Sequence, residues 1–184
     1  MKNEFDILFD IIDRFNEINI PYMLTGSLAM NYYAEPRMTR DIDFIIVMQP
    51  KMKIGLIQKF KDDYYISEKA FSEAIKYNSM FNIIHKQSVI KADLIIRKNS
   101  EYRENEFKRR KKVIIQGHSI YIVSKEDLII SKIFWSRESK SEIQKRDIIN
   151  LLNDNYDKNY LIKWVKKIDL YNFAKEFVGE RYFV

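Results

Sequence analysis

The chain has 184 residues and a mass of 22.3 kDa, 46% of them apolar and 32% charged, which at about 150 residues per domain means one domain, with or without a small appendage, and excludes wholesale disorder. Four Gly, three Pro, two His and no Cys exclude low-complexity architectures, a disulfide framework, thiolate or His-rich metal sites and a cysteine nucleophile. No apolar run approaches the ~20 residues of a membrane span, the apolar stretch at the N-terminus is interrupted by acids, and the net charge is +6, so the expectation is a cytoplasmic protein with no membrane partner whose charge fits either plain solubility or a polyanion such as nucleotide or RNA.

Phe5, Leu8, Phe9, Ile12 and Phe15 recur at spacings of three and four, which predicts a helix over 3–17. Pro21 precedes a short apolar strand at 22–25, and Gly26-Ser27 then turns into a helix over 27–34 that Glu35-Pro36 breaks. The run at 41–47 reads as a buried strand, and a helix follows near 51–60. A short strand at 64–66 leads to a helix from Ser67 to about Ile75. Residues 80–85 and 89–96 read as paired strands around Lys86-Gln87-Ser88, and 113–116 with 119–123 as a second hairpin around Gly117-His118. The charged segment 101–112 is helix or loop. Ser124 to Asp127 is a capping-box start, and helices continue to the end, where the aromatic tail from Phe177 is expected to dock on the body. The layout is an α/β part of about 123 residues followed by a helical part.

The chemistry concentrates between Thr25 and Val47. Asp41 and Asp43, two apart in a strand, project to one side, and adjacent carboxylates repel unless protonated or neutralised by a cation. Hard oxygen ligands suit Mg²⁺, but about one D-x-D arises by chance in a chain of this composition, and an exposed strand end beside Arg37 and Arg40 would explain the pair equally. Gly26-Ser27 shifts that balance, because a glycine turn opening a helix offers free N–H donors to phosphate. Ser27 is also simply a good N-cap. The combination with D-x-D arises by chance at the order of one per cent. Asp93 is the lone acid in the strand 89–96, either a third site carboxylate or one half of an ion pair with Lys86 or Lys91.

Gly26-Ser27, the short helix with Pro36-Arg37, and Thr39-Arg40-Asp41-Ile42-Asp43 resemble the signature of the DNA polymerase β-type nucleotidyltransferase superfamily. They are most similar to small bacterial nucleotidyltransferases that include abortive-infection toxins of toxin–antitoxin systems. The resemblance implies an α+β nucleotidyltransferase fold, a mixed sheet flanked by helices, with residues 1–123 as catalytic core and 124–184 as a helical part packed on it. It implies that Gly26 and Ser27 hold a nucleoside triphosphate, that Asp41 and Asp43 bind Mg²⁺ (two ions), and that Asp93 is the third carboxylate, helping to activate the acceptor hydroxyl. The reaction would be attack on the α-phosphorus with release of pyrophosphate.

Lys132 and Asp147 fall within apolar helical arcs, so each either pairs with the other as structure or serves a site. The resemblance favours Lys132 on the triphosphate with Asp147 orienting it. Arg40 and Arg37 either bind phosphate or only neutralise the acids. Lys108 to Lys112 is either a solvated edge or a phosphate-backbone contact, with Tyr102 and Phe107 near enough to stack on bases. His85 and His118 read as hydrogen-bonded strand and turn residues. The leading expectation is transfer to an RNA end, tRNA above all, in a toxin-like context with an antitoxin partner. The competing ones are transfer to a small hydroxylated molecule such as an antibiotic, and a catalytically silent nucleotide- or partner-binding module.

Overall fold

A computed structural model describes residues 2–184. The first helix, α1 (Glu4–Glu17), is closed by a reciprocal capping box between Asn3 and Asp6 and buries Leu8, Ile12 and Phe15. Then come β1 (Tyr22–Thr25), α2 (Gly26–Tyr33), β2 (Ile42–Ile46), α3 (Lys53–Phe60), β3 (Tyr64–Ile66), α4 (Glu68–Tyr77), β4 (Met80–His85), β5 (Lys91–Ile96), α5 (Glu101–Lys108), and the hairpin β6 (Lys111–Ile115) and β7 (His118–Ile122). The helices α6 (Lys125–Ser139), α7 (Glu142–Leu152), α8 (Lys158–Lys167) and α9 (Tyr171–Val178) complete the chain. The strands form one mixed seven-stranded sheet in the order β3-β4-β5-β2-β1-β7-β6, with β2–β5 and β1–β7 parallel and the remaining pairs antiparallel.

Period-two alternation gives the sheet two different faces. Ile42, Phe44 and Ile46 of β2, with Ala92, Leu94 and Ile96 of β5, share one face and are all buried. The ring of Phe44 meets Phe15 of α1 edge-on at 5.4 Å, Phe60 of α3 lies 5.8 Å from Phe15, and Phe71 of α4 stacks on Phe81 at 4.2 Å. The opposite face carries Thr25, Asp43, Ile45, Asp93 and Ile95. The helix α2, packed on α6, stands beside the end of β1.

Several boundaries differ from the sequence reading. The strand β5 begins at Lys91 rather than Val89, because Val89 is left-handed (φ 58°) and belongs to a turn closed by its N–H on the His85 carbonyl. Asp41 lies just before β2, and α2 begins at Gly26 itself. Ser124 caps α6 by accepting from the Asp127 N–H. The Asp127 carboxylate, however, accepts the Ser124 hydroxyl at 2.6 Å. His85 is buried with Nδ1 2.9 Å from Ser88 Oγ, and His118 stacks on Phe9 at 3.8 Å. The aromatic tail docks as expected, with Phe183 buried and its carbonyl accepting from the Tyr171 hydroxyl.

The two arginines of the basic run are engaged within the fold, while Lys108, Lys111 and Lys112 are exposed. Arg109 donates to Asp127 and Glu126 and lies 3.7 Å over the Tyr160 ring, and Arg110 covers Phe107 at 4.2 Å. Tyr102 and Phe107 are buried, so neither offers a face to a nucleobase. The neighbouring Glu106 is fully buried on α5, accepting from Arg103 Nη1 at 2.9 Å and from the Ser131 hydroxyl of α6 at 2.7 Å. Removing that carboxylate strands a largely buried guanidinium. Glu106→Ala is expected to lower unfolding free energy in urea by about 3–5 kcal/mol, whereas the double change R103M/E106M recovers most of it.

Candidate functional site

The strand register builds the acidic centre. Across the parallel pair β2–β5, Asp43 stands directly opposite Asp93, and across the antiparallel pair β1–β2, Asp43 stands opposite Thr25, the last residue before Gly26. Partners in register share a face, so the two carboxylates lie side by side next to the Gly26 turn. Gly26 has φ +66°, and a Cβ there would fall 2.6 Å from Asp43 Cγ. Only glycine combines that backbone conformation with so close an approach. Thr25 makes no side-chain cap to α2, which leaves the first N–H groups of that helix uncapped by the preceding side chain.

Burial, then Asp93, then Asp41 raise the Asp43 carboxyl to about 6, against smaller lowering by Lys132 and Lys91. Asp93 is buried, with Oδ2 accepting from Lys91 Nζ at 2.9 Å and Oδ1 buried without a hydrogen-bond partner. Lys91 Nζ also comes within 3.8 Å of Asp41 Oδ1, so one ammonium bridges the exposed Asp41 and the buried Asp93. Among the described residues, no three acidic or histidine side chains close on a point tightly enough to cage a cation unaided. A repelling acid pair with one orphaned oxygen fits Mg²⁺, which draws one or two carboxylates from protein and the rest from water and substrate phosphates.

The opposite wall comes from α6 and α7. Lys132 Nζ donates to Asp147 Oδ2 at 2.8 Å and to Gln144 Oε1 at 3.2 Å. Arg37 grips the same carboxylate in a fork, Nε to Oδ1 at 2.9 Å and Nη2 to Oδ2 at 3.0 Å, and Nη2 also donates to Ser27 Oγ at 2.7 Å. Against a burial penalty, hydrogen bonds from Arg37 and Lys132 hold the Asp147 carboxyl below its usual range. Burial pulls the Lys132 ammonium down, with Asp147 opposing.

Gly26, Ser27, Asp43, Lys132 and Gln144 thus line one cleft of about 300 Å³. Asp93 adjoins Asp43 on the next strand, and Asp147 backs Lys132. Arg40 is exposed, with no side-chain hydrogen bond or ion pair among the described residues, and does not line the cleft. Arg37 does not line the cleft either but binds two residues of the site, Ser27 and Asp147, although its sequence context gave it no more weight than Arg40. Trp135 and Gln144 line the cleft with no sequence signal beyond a spacing of three from Lys132 on α6 and from Asp147 on α7 respectively.

The pair carries a stability signature of its own. Between the ordinary carboxyl value of 3.8 and about 6, the folded chain keeps a proton on Asp43 that the unfolded chain releases. Stability therefore falls as pH rises through that window. Asp43→Asn removes the repulsion, so at pH 7 in chelator it is expected to melt about 2–4 °C above the native chain, a gain that shrinks toward pH 4.

No family model matches the chain, and no curated protein matches it in sequence. Similarity appears in solved structures. The solution structure of the antibiotic-resistance factor ANT(2'')-Ia aligns at TM-score 0.57 and 13% identity, covering 79% of this chain and 80% of that one. The lincosamide antibiotic adenylyltransferase LnuA, lincomycin-bound, aligns at 0.53 and 20%, covering 78% and 93%. An antigenic nucleotidyltransferase-like protein from Paracoccidioides brasiliensis aligns at 0.54 and 16%, covering 80% and 74%. The mixed seven-stranded sheet, the helices on its faces and these alignments agree that the chain has the nucleotidyltransferase fold.

Proposed function

We propose that the protein is a Mg²⁺-dependent nucleotidyltransferase that moves a nucleoside monophosphate from a nucleoside triphosphate to the hydroxyl of a small molecule. The observation that carries this reading is the cleft in which Asp43, in register with Asp93 on the next strand, faces the Gly26 turn and a buried lysine. Asp43 and Asp93, with Asp41, would hold divalent cations, which when bound neutralise charge developing on the phosphates.

The chain's own groups position the rest. The Gly26 turn and the start of α2 present N–H donors to the triphosphate, and Ser27, held by Arg37, stays at that turn. Lys132 supplies positive charge from α6, and Asp147 keeps both Lys132 and Arg37 in place. Arg40, free of internal partners among the described residues, is available to outlying phosphate oxygens. Asp93, the carboxylate with an orphaned oxygen, would accept the acceptor hydroxyl's proton as the hydroxyl oxygen bonds to the α-phosphorus. The bond from that phosphorus to the bridging oxygen breaks, and pyrophosphate leaves.

A small acceptor is favoured over an RNA end for two reasons. The aromatic groups and two of the five basic groups that suggested RNA are engaged within the fold, leaving Lys108, Lys111 and Lys112 exposed. Two of the structural neighbours are, by name, an antibiotic-resistance factor and an antibiotic adenylyltransferase. The tRNA acceptor, toxin-like role and antitoxin partner rest on the sequence resemblance alone. Incubation with each NTP, Mg²⁺ and either total RNA or small-molecule extracts decides between them by where the labelled nucleotide goes. Label found only in RNA would reverse the assignment.

Asp93→Asn and Gly26→Ala are each expected to cut turnover at least about 10²-fold, the first by removing charge and the second by displacing Asp43. Circular dichroism should show the fold of both retained. Lys132→Met is expected to raise the nucleotide Kd about tenfold or more in direct binding, with a smaller effect on acceptor affinity.

A further inference from the structure

A second and larger cavity, about 630 Å³, opens from the cleft and shares Thr25, Met80, Ile95, Ser131 and Trp135 with it. Its place follows from the register. Asp43 and Asp93 are followed two residues on by Ile45 and Ile95, again opposite one another and on the same face. The sheet surface thus changes from acidic to apolar over about 6–7 Å. Across β4–β5, Met80 pairs with Ile95 and extends the apolar floor outward. Phe134 and Trp135 on α6 form the roof, and Trp135 keeps 55% of its surface exposed.

The direction of phosphoryl chemistry says what enters. In nucleotidyl transfer the attacking and leaving oxygens lie roughly in line through phosphorus. The pyrophosphate end belongs at the Gly26 turn, on the β1 side of Asp43. The attacking hydroxyl therefore comes from the β5 and β4 side, where Asp93 stands. That is the side on which the larger cavity opens, lined by the start of β4 and the end of β5 and not by Gly26 or Ser27.

The lining sets the chemical class. Besides its apolar floor and aromatic roof, the cavity is walled by Arg97, Lys98 and Arg103 and by no carboxylate. Arg103 is already paired with Glu106, but Arg97 has no ion pair among the described residues, and its Nε is buried without a hydrogen-bond partner. Like charge disfavours a polycation here, and aromatic and aliphatic walls favour a planar or apolar body. We infer that this cavity receives the body of the acceptor, and that the acceptor is a compact, neutral or anionic molecule pairing an apolar or planar portion with the reacting hydroxyl. The inference rests on the nucleotidyl-transfer reading and adds the substrate class to it.

The probe is 4-nitrophenyl β-D-glucopyranoside, neutral, planar at one end and hydroxylated at the other. In a Trp164→Phe background, Trp135 is the sole tryptophan and reports its binding by quenching. Saturable quenching is expected, not displaced by kanamycin, a polycationic sugar, and weakened about tenfold by Tyr77→Glu, which removes an aromatic ring lining only the larger cavity and leaves in its place a hydrated carboxylate that a planar neutral ligand would have to desolvate. The affinities of the four NTPs, measured separately, are expected to stay unchanged in Tyr77→Glu. Absence of saturable quenching, displacement by kanamycin or by a tRNA minihelix, or a Tyr77→Glu effect on an NTP instead of the glucoside would each overturn the inference. If the native chain bound none of the four NTPs, the nucleotidyl-transfer reading would fall, and this assignment with it. Intact NTP binding with a failed glucoside arm would overturn the acceptor class alone.

Discussion

Asp43 and Asp93 repel one another, and much of the site's architecture is a response to that repulsion. Their opposition is set by the β2–β5 register, which cannot slip by one residue without turning Ile42, Phe44 and Ile46 out of the core. Because the register is held by so much apolar burial, the fold can retain an acid pair that destabilises it. Lys91 offsets the charge from one flank and Lys132 from the other. Gly26 is then required, since any larger residue would collide with the Asp43 carboxylate.

The second constraint is the shared anion at Asp147. One buried carboxylate holds two cations from different parts of the chain, Lys132 on α6 and Arg37 on the segment after α2. Arg37 in turn reaches Ser27 at the Gly26 turn. Both walls of the cleft are thereby tied through a single hydrogen-bonded chain. Successive positions on α6 divide their work: Ser131 joins Glu106 beneath the larger cavity, Lys132 faces the acids, and Trp135, one turn on, stands where the two spaces meet.

The elements were legible where periodicity was strong. The amphipathic stripe of α1 and the apolar run of β2 declare themselves, and Asp93 stands out as the lone acid in an apolar strand. The start of β5 was not legible, because a valine in left-handed conformation has no sequence signature. The difference between Arg37 and Arg40 was likewise hidden: three residues apart, one meets a carboxylate contributed from far along the chain and the other meets solvent. The partners of the basic run's arginines were hidden for the same reason. Charge density in sequence does not reveal that Arg109 and Arg110 turn inward onto carboxylates and rings. Tyr102 and Phe107, read as base-stacking candidates, lie on the buried side of α5.

The Arg37–Asp147 fork joins residues 110 apart in the chain. The acids, the glycine turn and Ser27 all lie within residues 26–93 and are synthesised before Asp147, the carboxylate that organises the opposite wall. Closing so long a loop depends on α7 having left the ribosome, since a chain emerging N-terminus first cannot form that contact sooner. A nascent or C-terminally clipped polypeptide therefore lacks the carboxylate that ties the two walls of the cleft together, and the cleft is completed only late in translation.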